Sequence, residues 1–136
     1  VYALTAVARQ GTSKIDLSAS DKVVFASDAV PHEWRMLAIE EKSGRILWDR
    51  VLHEATPRAA RHAKGSYANA TPATNGKYIV AALGSEVVVG LDRDGKILWK
   101  HDLGVTNPKD ALDPSSSPVI FENLVVVQCD FRKDGY

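Results

Sequence analysis

Short runs rich in apolar and β-branched residues follow one another along the chain, each bounded by Gly, Pro, Asn, Asp or Ser. They read KVVFAS from Lys22, WRMLAIE from Trp34, GRILWDRVL from Gly44, KYIVAAL from Lys77, EVVVGLD from Glu86, GKILWKHDL from Gly95, PVIF from Pro118 and NLVVVQC from Asn123. Runs of this length between turn-forming borders predict β-strands and an all-β chain of antiparallel sheets. Only ATPRAARHA, from Ala55, has a composition open to a helix, and Pro57 and Gly65 predict a long loop there instead.

The strand pattern repeats. SGRILWDR from Ser43 returns as DGKILWKH from Asp94, so that Gly44 and Gly95, Leu47 and Leu98, and Trp48 and Trp99 each lie 51 positions apart. Self-similarity at a period near 50 predicts a solenoid, an array or a propeller. A complete unit runs from 70 to 104 as TPAT, NGK, YIVAAL, GSE, VVVGLD, RDG and KILWKHDLG, which predicts a four-stranded meander. An earlier unit is expected over 17–54, with KVVFAS as a strand, DAVPHEWR as an insertion whose His32, Glu33 and Trp34 form a hairpin tip, then MLAIE, EKSG and RILWDRVL. A third begins over 115–136, where Pro118 follows Pro72 by 46 positions, and it ends before any Trp segment. The opening VYALTAVARQGTSKIDLSA carries no Gly–Trp motif and reads either as the last strands of a preceding unit or as an outer strand of the first full one.

Within the repeat, Gly44 and Gly95 are placed where a tight turn enters the closing strand, a position that favours a residue without Cβ. Period-two counting puts Trp48 with Ile46, and Trp99 with Ile97, on one strand face. An indole there is expected to pack between neighbouring sheets, its N–H requiring an acceptor.

Composition narrows the functional classes. Lys plus Arg and Asp plus Glu both number 17, which leaves no basic stripe for nucleic acid. The longest apolar runs fall far short of the roughly 20 residues that a membrane-spanning helix needs. The sequence opens on Val1 without the charged start and apolar stretch of a secretory signal. Cys129 stands alone just after LVVVQ and reads as a small buried side chain.

At the repeated residues the chain resembles the pyrroloquinoline quinone (PQQ) type β-propeller repeat, whose tryptophan-docking motif runs approximately AxDxxTGxxxW. Ala38, Glu40, Ser43, Gly44 and Trp48 match it at full spacing; Gly90, Asp92, Asp94, Gly95 and Trp99 match with a turn one residue shorter. SSPVIFENLVVV is similar to the family's repeat opening. The resemblance implies that residues 1–136 are part of one propeller domain. It holds two to three blades of a larger ring, often eight-bladed, with further strands expected after Tyr136.

Family members with dehydrogenase activity hold PQQ and a metal ion at the ring centre, beside a catalytic Asp and often an adjacent Cys pair. No such pair occurs here, and Asp113, Asp130 and Asp134 lack the alternating spacing of a calcium loop. No catalytic, cofactor-binding or metal-binding residue is therefore expected in this segment. The resemblance implies a noncatalytic interaction scaffold with a protein partner, in the periplasm or secreted. The alternatives are a piece of a quinoprotein dehydrogenase whose PQQ and calcium sites lie elsewhere, and the sensor domain of a signalling protein.

The candidate binding face is the loop HEATPRAARHAKGSYAN from His53, which carries Arg58, Arg61, His62, Lys64 and Tyr67. Together they could hold an anion or a carboxylate; otherwise they are a solvated loop pinned by His and Tyr. As a metal ligand His62 has only His53 and Glu54 nearby in sequence, too few for a site. No GxSxG, HExxH, GxGxxG or phosphate-loop motif occurs.

Overall fold

The computed structural model describes residues 1–10, 25–26, 30–62, 64–84, 86–104 and 116–129. Among these it holds eleven strands and no helix: β1 (Tyr2–Ala8), β2 (Phe25–Ala26), β3 (His32–Ile39), β4 (Ile46–Ala55), β5 (Arg61–His62), β6 (Ala73–Thr74), β7 (Tyr78–Leu83), β8 (Val87–Asp92), β9 (Ile97–Asp102), β10 (Val119–Phe121) and β11 (Leu124–Val126).

The central element is a four-stranded antiparallel sheet in the order β6-β7-β8-β9. Polar side chains close its turns. Asn75 Oδ1 accepts the amides of Lys77 and Tyr78, and Asp92 Oδ1 accepts those of Asp94 and Lys96. Gly95 completes the second turn at φ +80°, as Gly44 does at +72° in the earlier copy; such a φ strains any side-chain-bearing residue. Strands β7 and β8 read as unbroken apolar runs because both of their faces are covered. Ile79, Ala81, Leu83, Val87, Val89 and Leu91 join one core, while Val80, Ala82 and Val88 join another with Ala70.

The first sheet has the order β1-β3-β4 and supplies the other half of the first core through Trp34, Met36 and Leu52. Two expectations are corrected here. The strand paired with β3 is β1, in a register that runs from Tyr2 opposite Ala38 to Ala8 opposite His32. The sheet therefore draws on residues ahead of position 17: of the two readings of the opening segment, it is the outer strand of the first sheet, and KVVFAS is not that sheet's strand. Of KVVFAS only Phe25 and Ala26 are described, paired with His62 and Arg61; its other residues, like 130–136 of the third unit, lie outside the described residues. Nor are His32, Glu33 and Trp34 a hairpin tip: they open β3, whose alternate residues are buried, and Trp34 is 1% exposed. The alternation continues back through HEWR, and burial of the indole area outweighs the flanking charges.

A third correction concerns the tryptophans. In β4, Trp48 lies opposite Ala38 and Ile46 opposite Ile39, so Leu47 is an extra residue; in β9, Trp99 lies opposite Gly90 and Ile97 opposite Leu91, so Leu98 is extra. Each closing strand thus carries a β-bulge at the same repeat position. A bulge breaks period-two counting, and Trp99 and Ile97 fall on opposite faces: Ile97 packs on the first core, whereas the Trp99 ring covers Gly90. A Cβ on Gly90 would lie 2.2 Å from that ring.

The third sheet is the pair β10 and β11. Its Ile120, with Val127 beyond β11, packs on the second core, and Ser117 Oγ accepts the amide of Thr71, 46 residues earlier, tying the openings of two successive repeats. Cys129, expected to be buried, is half-buried.

Trp34→Ala is expected to cost about 3–5 kcal/mol in urea unfolding, the range for emptying a buried aromatic site. Trp99 is 41% exposed, and Trp99→Ala is expected to cost less than about 2 kcal/mol in this chain. The reverse order would contradict the burial described.

Candidate functional site

The seam between the first and second sheets is closed differently at its two ends. Near the start of β4, the Trp48 indole donates to the carbonyl of Arg93 at 3.1 Å and packs on Gly95, where a Cβ would meet its ring at 3.1 Å. Tyr2 lies beside it, with ring centroids 5.8 Å apart. This places a first-sheet tryptophan on the glycine turn of the second sheet.

At the far end of β4 the expected binding loop begins, and there the closure is ionic. The Arg58 amide donates to Glu86 Oε1 at 2.7 Å, and its guanidinium reaches both oxygens of Asp102 at 2.7 and 2.8 Å. Its Nε lies 3.2 Å from Glu86 Oε2, and His53 Nε2 lies 3.6 Å from the same oxygen. Glu86 is 1% exposed, in the turn between β7 and β8. Glu86 Oε2 and His53 Nε2 are buried without a hydrogen bond, so ion pairing compensates the buried carboxylate. The Arg58 guanidinium, followed by the Gly104 amide, holds the Asp102 carboxyl well below the usual carboxylate range. Asp102 in turn raises Arg58.

The other loop residues divide. Tyr67 is buried in the first core, its carbonyl accepts the Trp34 indole N–H at 2.8 Å, and its ring meets His32 edge-on at 5.1 Å between centroids. Arg61 donates to the Gly65 carbonyl at 3.0 Å and stands 5.7 Å over the Tyr67 ring. His62 and Lys64 are exposed, the Lys64 amide donating to His62 Nδ1. The five expected residues are thus not gathered into one cationic pocket: Arg58 and Tyr67 turn inward, Arg61 lies on Tyr67, and His62 and Lys64 face solvent. Sequence reasoning took GSE for an ordinary turn and missed Glu86; the available signal was a lone carboxylate between two apolar runs.

PQQ is a tricarboxylate, and binding it calls for cations that are not already committed. Arg58 is engaged by two carboxylates, and among the described residues no three His, Cys, Asp or Glu side chains are grouped as a metal would require. Arg58 thus offers no uncommitted cation at this seam.

The family described as outer membrane protein assembly factor BamB matches residues 5–133, a span that begins within β1 and takes in β2 to β11. In the same comparisons, neither a curated protein nor a solved structure matches the chain.

Arg58→Ala is expected to cost about 3 kcal/mol, since it leaves the buried Glu86 carboxylate without its partner. His62→Ala and Lys64→Ala should each stay within about 0.5 kcal/mol; urea midpoints check both. Because Asp102 is depressed in the folded state, its pair with Arg58 stabilises the fold above the ordinary Asp value of about 3.9. That contribution is lost as pH falls through the folded value, so Asp102→Asn should flatten the acid limb of the melting-temperature profile.

Proposed function

The chain belongs to the family of outer membrane protein assembly factor BamB, and on that footing we propose that it acts as a noncatalytic PQQ-like β-propeller segment, a scaffold for a protein partner. The observation that carries this reading is the apolar surface around the third sheet. Val119, Phe121, Leu124 and Val126 are exposed together on one face of the third sheet, the face opposite the one on which Ile120 packs against the second sheet. Contiguous exposed apolar surface of this kind marks an interaction site. The charged loop groups that could have served chemistry are spent on closing a seam: Arg58 binds Glu86 and Asp102.

A rigid sheet scaffold suits such a role, because its loops and strand edges present fixed groups to a partner. The balanced charge disfavours nucleic acid as that partner. No helix among the described residues is long and apolar enough to cross a membrane, and the family description favours a periplasmic place of action at the outer membrane.

Titration with PQQ and calcium, followed by quinone absorbance, should give no saturable change. Saturation would replace this reading with that of a dehydrogenase segment. In parallel, Phe121→Ser with Val126→Ser should lower the binding of a hydrophobic dye while leaving the circular dichroism spectrum unchanged. Undiminished dye binding would remove the third sheet as the interaction surface.

A further inference from the structure

Near its far end, β4 presents an unfinished contact to the second sheet. The register of β4 skips Leu52, so Leu52 and His53 both turn to the side on which Trp34 is buried. There His53 Nε2 stands 3.6 Å from Glu86 Oε2, too far for a hydrogen bond, and both atoms are buried. The His53 side chain as a whole is 19% exposed, so a proton can reach its ring from solvent. We propose that His53 is a proton-operated clamp: a proton taken up by its ring draws β4 onto the turn that carries Glu86, and mild acid thereby tightens the seam between the first and second sheets.

Two observations carry this. One is the charge of the group. A single guanidinium, that of Arg58, faces two carboxylates, Glu86 and Asp102, which leaves one negative charge uncancelled where the central carboxylate is 1% exposed. An imidazolium cancels it, and its field reaches Asp102 as well as Glu86. The other is the aim of the ring. Nε2 already points at a carboxylate oxygen that lacks a hydrogen bond. Charging the imidazole turns that contact into a charge-assisted hydrogen bond, a type that closes to about 2.7–2.9 Å. Trp34, its ring 5.5 Å from that of His53, lies within cation–π range of the new charge.

The neighbouring titratable groups are committed elsewhere. Glu54, next on β4, and Glu33 opposite it are held by Arg9 at 2.9 and 2.6 Å, and Arg35 binds Glu33 and Asp49. On the far side of Trp34, His32 Nδ1 donates to the Val30 carbonyl at 2.8 Å, and the Tyr67 ring meets His32 edge-on. A histidine ordinarily changes its charge between about pH 5 and 8. The charged His53 ring gains Glu86 only when the seam is closed, so the closed seam binds the proton more tightly. Its contribution is present at the acid end of that range and is lost as pH rises.

The Arg58 amide reports the seam, because it donates to Glu86 Oε1. In the intact chain, His53 ring-carbon shifts and amide hydrogen exchange are followed together by NMR between about pH 8 and 5.5. After correction for the intrinsic pH dependence of exchange, protection of the Arg58 amide should rise about tenfold as the His53 ring takes up its proton. In His53→Gln, which keeps a donor but cannot be charged, protection should stay level over the same range. A His53 ring that does not titrate there, protection that is unchanged or falls as it titrates, or an equal rise in His53→Gln would each overturn the proposal. Glu86→Gln gives a second reading should His53→Gln fail to fold, since it keeps an acceptor for the Arg58 amide and removes the charge. The rise should vanish in that variant, and its persistence would equally contradict the clamp.

Discussion

One contact sets how successive sheets meet: the Trp48 indole lying on the turn that ends at Gly95. It combines an apolar ring that needs covering, an N–H that needs an acceptor, and a turn whose carbonyl and bare Cα offer both. The glycine has two roles there. Its φ of +80° lets the turn close, and its missing Cβ lets the ring approach; a β-carbon would stand 3.1 Å from it. A turn closed by any other residue would be strained and would also hold the neighbouring sheet away.

The bulges at Leu47 and Leu98 serve that contact. With one extra residue in each closing strand, the tryptophan is directed to the face opposite its neighbouring isoleucine, toward the next sheet. Ile97 can then finish the core behind it while Trp99 turns to the groove that it lines with Ile120 and Leu124 of the third sheet. The second sheet consequently has a filled rear face and a tryptophan-bearing front face, the arrangement that a stack of like sheets requires. The ionic group of Arg58, Glu86, His53 and Asp102 belongs to one seam alone. Glu86 lies outside the repeat motif, and among the described residues no second group of this kind joins the second and third sheets.

Periodicity made the second sheet readable, because strands, turns and glycines recur in register and local hydrogen bonds close each turn. The first sheet was hidden because β1 pairs with β3 across more than 20 intervening residues, and nothing in the local pattern of KVVFAS distinguishes it from the true partner. Trp34 was misread for a related reason: its neighbours His32, Glu33 and Arg35 look like a surface, yet His32 is buried on the same face as Trp34, and Glu33 and Arg35, which alternate with the buried positions, join Arg9 and Asp49 in ion pairs across the sheet. In the loop, residue types suggested an anion site. Their fates depended on Glu86 and Asp102, which approach from the second sheet and are remote in sequence from Arg58. Burial of a charge depends on its partner, and pairing across a seam is not written in either segment alone.

The most direct test of the docking account is a set of proton NMR distances from the three indoles. The Trp48 ring should show nuclear Overhauser contacts to the Gly95 α-protons, and the Trp99 ring to those of Gly90, with the Trp34 indole N–H slow to exchange. Contacts from Trp48 confined to its own sheet, with none to Gly95, would contradict the claim that a tryptophan on a glycine turn joins one sheet to the next.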